Sequence, residues 1–259
     1  MQPDHDNQQD LSQDRPDGLE LSWQCQSNKQ CTSVNHHSIN KEILLGSSKG
    51  VHKLNKATAK LSDVSTIYPH AQVIEHKGVV YIGSICTCEQ KFMVFKYSLE
   101  TKSSKILFSF PANYVDDAPY RFGVFDQYIV CWDVYNKTIQ LFDVESKRLL
   151  THELPLCQKL FSLQINSDGL LYTTVRYDDQ HYLNMYSLQV KEDHEPLLVW
   201  SCKLGQACTL ALTEENLAVL VGKRNRTVYI VGPTGKSSVQ DYHNVGVIEQ
   251  HDIIGALLS

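Results

Sequence analysis

Five short stretches decide the fold: Val51-His52-Lys53-Leu54-Asn55, Val94-Phe95-Lys96-Tyr97-Ser98, Ile139-Gln140-Leu141-Phe142-Asp143, Leu183-Asn184-Met185-Tyr186-Ser187 and Val228-Tyr229-Ile230-Val231-Gly232. Each is an apolar run that ends at a small or polar residue, as a strand does where it meets a turn. The anchors Leu54, Tyr97, Phe142, Tyr186 and Val231 follow one another at 43, 45, 44 and 45 residues. A period held through four intervals marks a repeat architecture.

Ahead of each copy lies a second apolar run, at residues 42–46, 79–83, 128–132, 170–174 and 217–221, and a sixth run at 253–258 ends the sequence. Turn residues such as Ser167-Asp168-Gly169 and Gly232-Pro233-Thr234-Gly235 separate them, and no helical periodicity is sustained. A further echo joins the two ends. Trp23-Gln24-Cys25 with Cys31-Thr32 returns as Trp200-Ser201-Cys202 with Cys208-Thr209, an offset of 177 residues, or four periods.

Four strands in about 44 residues, repeated, predict an all-β β-propeller, in which each blade buries its faces against its neighbours. Five complete blades and a partial sixth are expected. The sixth would combine residues 246–250 and 253–258 with a strand at 19–25. A β-sandwich of even strand spacing is the competing reading. Residues 1–17 are too polar to join a sheet and read as a disordered tail, with the propeller over 18–259.

The period, and above all Asn136-Lys137-Thr138-Ile139-Gln140-Leu141-Phe142-Asp143, resembles NHL-type and WD-repeat propellers, among them the C-terminal propeller of TRIM-NHL-like animal proteins, which follows RING and B-box modules. The Gly-His and Trp-Asp pairs of WD repeats are missing from their places, since Trp132-Asp133 lies in a second strand. Kelch-type double glycines are absent. The resemblance implies a protein-interaction scaffold or substrate-recognition propeller without catalytic activity. No RING or B-box sequence is present to carry over ligase activity.

Composition bears on the partner. With 24 basic and 29 acidic residues the net charge is −5, and the broad positive field of a non-specific nucleic-acid binder is missing. The N-terminus lacks the apolar core of a signal peptide, and no apolar run reaches the length of a membrane span. Eight cysteines in such a chain read as reduced thiols in the cytoplasm, and Cys131, Cys157 and Cys208 as small core residues. A protein partner, within a longer or multi-subunit assembly, is expected in place of nucleic acid or membrane.

Strand alternation places the loops after second and fourth strands on one face of the propeller. Those loops hold the unusual chemistry. The candidate partner-binding residues are Asp116, Asp117, Tyr120 and Arg121, then Tyr177, Asp178 and Asp179, then Lys223, Arg224 and Arg226. Paired Asp residues are also ordinary turn formers, and Tyr97, Phe142 and Tyr186 read as inter-blade core. Cys86-x-Cys88 has no second pair at zinc spacing, and His36-His37 reads as a polar turn, so no catalytic, cofactor or metal residue is assigned. Two alternatives stand beside the scaffold. One is a propeller hydrolase of lactonase or esterase type with a central divalent cation; the other is an RNA-binding NHL-type propeller.

Overall fold

The computed structural model describes residues 31–241, apart from short stretches at 38–41, 56–59, 69, 87, 113–120, 135, 189, 191–193, 214–215, 223–226 and 236. It is a five-bladed β-propeller: five four-stranded antiparallel sheets, each formed by four strands consecutive in sequence. The first blade holds β1 (Cys31–His37), β2 (Glu42–Ser47), β3 (Gly50–Asn55) and β4 (Lys60–Ser65). The second holds β5 (Gln72–His76), β6 (Val79–Cys86), β7 (Lys91–Ser98) and β8 (Ser103–Pro111). The third holds β9 (Phe122–Phe125), β10 (Tyr128–Asp133), β11 (Thr138–Asp143) and β12 (Leu149–Glu153). The fourth holds β13 (Lys159–Ile165), β14 (Leu170–Tyr177), β15 (Gln180–Ser187) and β16 (Leu197–Leu204). The fifth holds β17 (Cys208–Leu212), β18 (Ala218–Gly222), β19 (Thr227–Val231) and β20 (Ser237–Asp241).

The five repeated stretches are thus the third strand of every blade and the runs ahead of them the second. His36 and His37 depart from expectation. They are no turn but the end of β1, opposite Ile43 and Glu42, because the first blade begins one strand earlier than the apolar runs reveal. The segments proposed for a sixth blade, 19–25, 246–250 and 253–258, lie outside the described residues, as does the 1–17 tail.

First strands are innermost and pack in series, β1 on β5, β5 on β9, β9 on β13 and β13 on β17; no comparable packing joins β17 to β1 among the described residues. The core is correspondingly divided into layers between blades. Phe92, Phe108 and Phe110 of the second blade meet Phe122, Ile129 and Phe142 of the third, with Phe108 stacked on Phe142 at 4.9 Å between ring centroids. Val130, Trp132 and Leu141 meet Leu160, Leu171 and Tyr186 in the next layer. Tyr172, Leu183 and Met185 meet Cys208, Leu210 and Leu220 in the one after. Tyr97, with Val80 and Ile82, faces Leu44 and Val51 of the first blade. Strands buried on both faces must be apolar at consecutive positions, which is why β18 reads Ala-Val-Leu-Val-Gly and is buried throughout. Fourth strands alternate instead, as in β12 and β16, because their outer positions meet solvent.

Close approach of the blades is set by glycine. A Cβ on Gly83 would stand 2.7 Å from the rings of Phe92 and Phe122, and one on Gly123 would stand 2.7 Å from Cγ2 of Ile165. Polar ties complete the joints. The buried Gln72 amide donates from Nε2 to the Phe122 carbonyl at 3.1 Å and accepts the Phe122 N–H at 3.1 Å, and Thr174 Oγ1 donates to the Cys208 carbonyl at 2.9 Å.

Candidate functional site

Second-to-third hairpins and fourth-to-first connections emerge together on one face, as strand alternation requires. Of the residues singled out there, Asp116, Asp117, Tyr120, Lys223, Arg224 and Arg226 lie outside the described residues. Asp178 and Asp179 form the two-residue turn between β14 and β15, with Tyr177 opposite Gln180 at its base. Their φ values of 46° and 56° make both left-handed, the geometry of a type I′ hairpin, which Asp tolerates better than most residues. Both side chains are exposed.

Arg121 immediately precedes β9, the innermost strand of its blade, and its carbonyl accepts the Trp132 N–H at 2.9 Å. Burial pulls its guanidinium down to about 10 from the ordinary 12.5. The residue as a whole is half-buried at the head of that inner strand.

The arrangement with most chemical content lies in the first blade and escaped the sequence reading. Ser47 ends β2, His52 sits near the start of β3, and Asp63 lies on β4 directly opposite His52 in the register. Leu45 also faces His52, so Ser47, two residues further along β2, shares that face by the two-residue period of a strand. The result is a hydrogen-bonded series: Ser47 Oγ lies 2.7 Å from His52 Nε2, and His52 Nδ1 lies 2.7 Å from Asp63 Oδ1. A carboxylate can only accept, which places a proton on Nδ1; in the tautomer with no proton on Nε2, that nitrogen accepts from the Ser47 hydroxyl. This is the order of groups in a nucleophile, general base and orienting acid. Sequence reading missed it because Ser47, His52 and Asp63 form no contiguous motif; the turn before Gly50 relates Ser47 to His52, but Asp63 comes opposite His52 through a register that shifts between Val51 and His52.

Burial differs along the series. Ser47 is 2% exposed and His52 1%, while the Asp63 side chain is 55% exposed. Beside Ser47, the Ala71 N–H donates to the Ser47 carbonyl at 3.0 Å and the His70 N–H to the Ser48 carbonyl at 3.3 Å. Ile67 in the connection between β4 and β5 is 71% exposed. Next to it in sequence, Gln72 ties on to Phe122 and so to Arg121, which makes the first three blades continuous across this face. Asp63 also lines an open crevice of about 870 Å³ between the first and second blades, together with Lys53, Lys96, Lys102, Lys105 and Glu100.

Among the described residues, no group of three or more His, Cys, Asp and Glu side chains is placed to hold a metal ion. No helix among them is long and apolar enough to cross a membrane. Cys131 and Cys208 are buried in the core and Cys157 is half-buried, its thiol pushed up to about 12 by desolvation.

No protein-family model and no curated protein matches the sequence. Solved structures do. A streptogramin B lyase superposes with a TM-score of 0.58 at 12% identity, covering 87% of this chain and 73% of its own. Virginiamycin B lyase from Staphylococcus aureus gives 0.57 at 10% identity, over 84% and 72% of the two chains. A protein of unknown function from Bacteroides thetaiotaomicron gives 0.61 at 12% identity, over 82% and 57%. At such identities the likeness shows the propeller fold, and the NHL subfamily suggested by the sequence is not confirmed. Two of these neighbours are enzymes, which overturns the expectation that the chain is no enzyme. That expectation weighed the absence of contiguous motifs too heavily; a propeller can assemble reacting groups from strands and loops far apart in sequence.

Proposed function

We propose that the chain is a catalytic propeller of hydrolase type, with Ser47 as nucleophile, His52 as general base and Asp63 as the group that orients the imidazole. The observation that supports it is the pair of consecutive 2.7 Å hydrogen bonds through the two nitrogens of His52. Lyases built on the same fold support bond-breaking chemistry on such a scaffold. Because Ser47 is 2% exposed, substrate access requires its surroundings to move, with His70 and Ala71 giving up their backbone hydrogen bonds to Ser48 and Ser47. Such an opening also draws on Tyr68 and Ala71, 3% and 0% exposed in the layer with Leu44, Val73 and Tyr97, so it costs more than the fraying of a surface loop. In the open form Ser47 attacks an ester or lactone carbonyl, its proton passes to His52 Nε2, and His52 returns that proton to the leaving oxygen. Water then hydrolyses the acyl-enzyme by the same base.

The test is labelling by a fluorophosphonate probe together with turnover of model esters and lactones. Wild-type protein is expected to be labelled at Ser47, Ser47→Ala to lose both label and turnover, and Asp63→Asn to lose turnover by roughly 10²–10⁴-fold with its fold intact. A chelator should leave the rate unchanged, whereas a central cation would make it chelator-sensitive. Absence of label and of turnover in folded wild-type protein would reject the proposal and leave the series as a clasp across three strands.

A further inference from the structure

A second chemical feature of the same face lies in the second blade and takes no part in the series at Ser47. Cys86 ends β6 opposite Lys91 at the start of β7, and Cys88 stands in the hairpin between them. Their sulfurs are 3.0 Å apart in a thiol–thiol hydrogen bond. Cys86 is half-buried and Cys88 exposed, so small molecules reach the pair from solvent. Next to the pair, Gln90 adopts φ 52°, its carbonyl accepts the Ala112 N–H at 2.7 Å, and Lys91 Nζ donates to Glu89 at 3.0 Å.

The pair is also polarised. The Cys88 thiol donating to Cys86, aided by the Glu89 N–H, holds the Cys86 thiol below its ordinary value, and the same bond holds Cys88 above it. One sulfur is thereby the better thiolate and the other retains its proton, the division of labour of an attacking and a resolving cysteine. A disulfide needs a sulfur separation of about 2.05 Å, so closure asks for a movement of roughly 1 Å in an exposed hairpin.

We propose that Cys86 and Cys88 form a thiol–disulfide exchange site that is oxidised by small-molecule disulfides to an intramolecular bond. The Cys86 thiolate attacks one sulfur of the disulfide RSSR, the S–S bond breaks, and RS⁻ leaves with the electron pair. A mixed disulfide remains on Cys86. Cys88, on losing its proton, attacks the Cys86 sulfur and expels the second RS⁻. Two protein thiols and one RSSR become one protein disulfide and two RSH. A bridge between residues two apart in sequence closes a small, exposed ring, and exposed or strained disulfides are the ones readily reduced again.

The experiment incubates folded protein with oxidised glutathione and follows intact mass and peptide maps. Wild-type protein is expected to lose two hydrogens, mapped to a Cys86–Cys88 bridge, with full recovery on adding dithiothreitol. Cys88→Ser, lacking the resolving sulfur, is expected to accumulate one glutathione on Cys86. Cys86→Ser is expected to react several-fold more slowly at Cys88. If wild-type protein keeps a stable glutathione adduct at either position, or if this hairpin stays reduced, the proposal is overturned. Circular dichroism of each variant separates loss of chemistry from loss of fold. Fluorophosphonate labelling is expected to be unchanged in both variants, so failure here and failure of the hydrolase reading are distinguishable.

Discussion

Gln72 is the residue whose loss should be felt most for its size. Its buried amide makes two hydrogen bonds to the backbone of Phe122 in the next blade. Leu in its place fills similar space but leaves a buried N–H and a buried carbonyl without their partner. Gln72→Leu is therefore expected to lower stability by about 2–4 kcal/mol, read from urea unfolding midpoints. A second residue effect depends on pH. Burial, with Lys77 beside it, holds the His76 imidazole below its ordinary 6.5, against smaller opposing contributions from Glu75 and Asp126. Above that value both folded and unfolded chains carry a neutral ring. As pH falls below it the unfolded chain binds a proton before the folded one does, so stability is lost towards the lower folded pKa. Comparing unfolding midpoints of wild-type and His76→Gln protein between about pH 7.5 and 5.5 should show a steeper decline in the wild type. An equal slope would mean that His76 titrates alike in both states.

Strand by strand, the elements were legible where apolar residues run unbroken and illegible where they do not. β6, β10, β14 and β18 are buried on both faces and stand out in the sequence. β9, only Phe-Gly-Val-Phe, and the half-exposed β12 carry too few residues or too weak an alternation to be seen alone. The hairpins followed from their turn residues, yet which side chains meet across them depends on register, and register is invisible to composition. That is why Asp178 and Asp179 drew attention as a pair while Ser47, His52 and Asp63 did not. The inner strands also reveal a constraint of their own. Gly123 lies on β9 where a Cβ would meet Ile165 of the following blade. Gly123→Val is expected to force β9 and β13 apart at a cost of about 1–3 kcal/mol, with Ile165→Ala in the same chain recovering part of it. Double-mutant unfolding curves would measure the recovery; purely additive losses would place the strain elsewhere.

At the scale of the whole molecule, stability is distributed as a series of blade-to-blade layers, each joining two neighbours. Such a structure opens locally at its least buried members before it unfolds as a unit. Amide exchange should therefore be slowest in second strands such as β10 and β14, and fastest in outer strands such as β12, where alternate residues are exposed. Mass-resolved exchange would show uniform protection across a blade if the blade opened only as one body. The propeller itself was readable from a period of about 44 residues because every blade solves the same burial problem. Side-chain groupings across strands were not, since they depend on which strand ends the register brings together.

The two joints at Gln72 and Thr174 address backbone groups, the Phe122 amide and the Cys208 carbonyl. Every residue presents the same carbonyl, and every residue but proline the same amide N–H, whatever its side chain. A blade can therefore be copied, exchanged or allowed to drift in sequence while these ties to its neighbour still find their partners. Seen this way, the joints work as a standard coupling between neighbouring blades, one that does not depend on the side chain of the residue it holds.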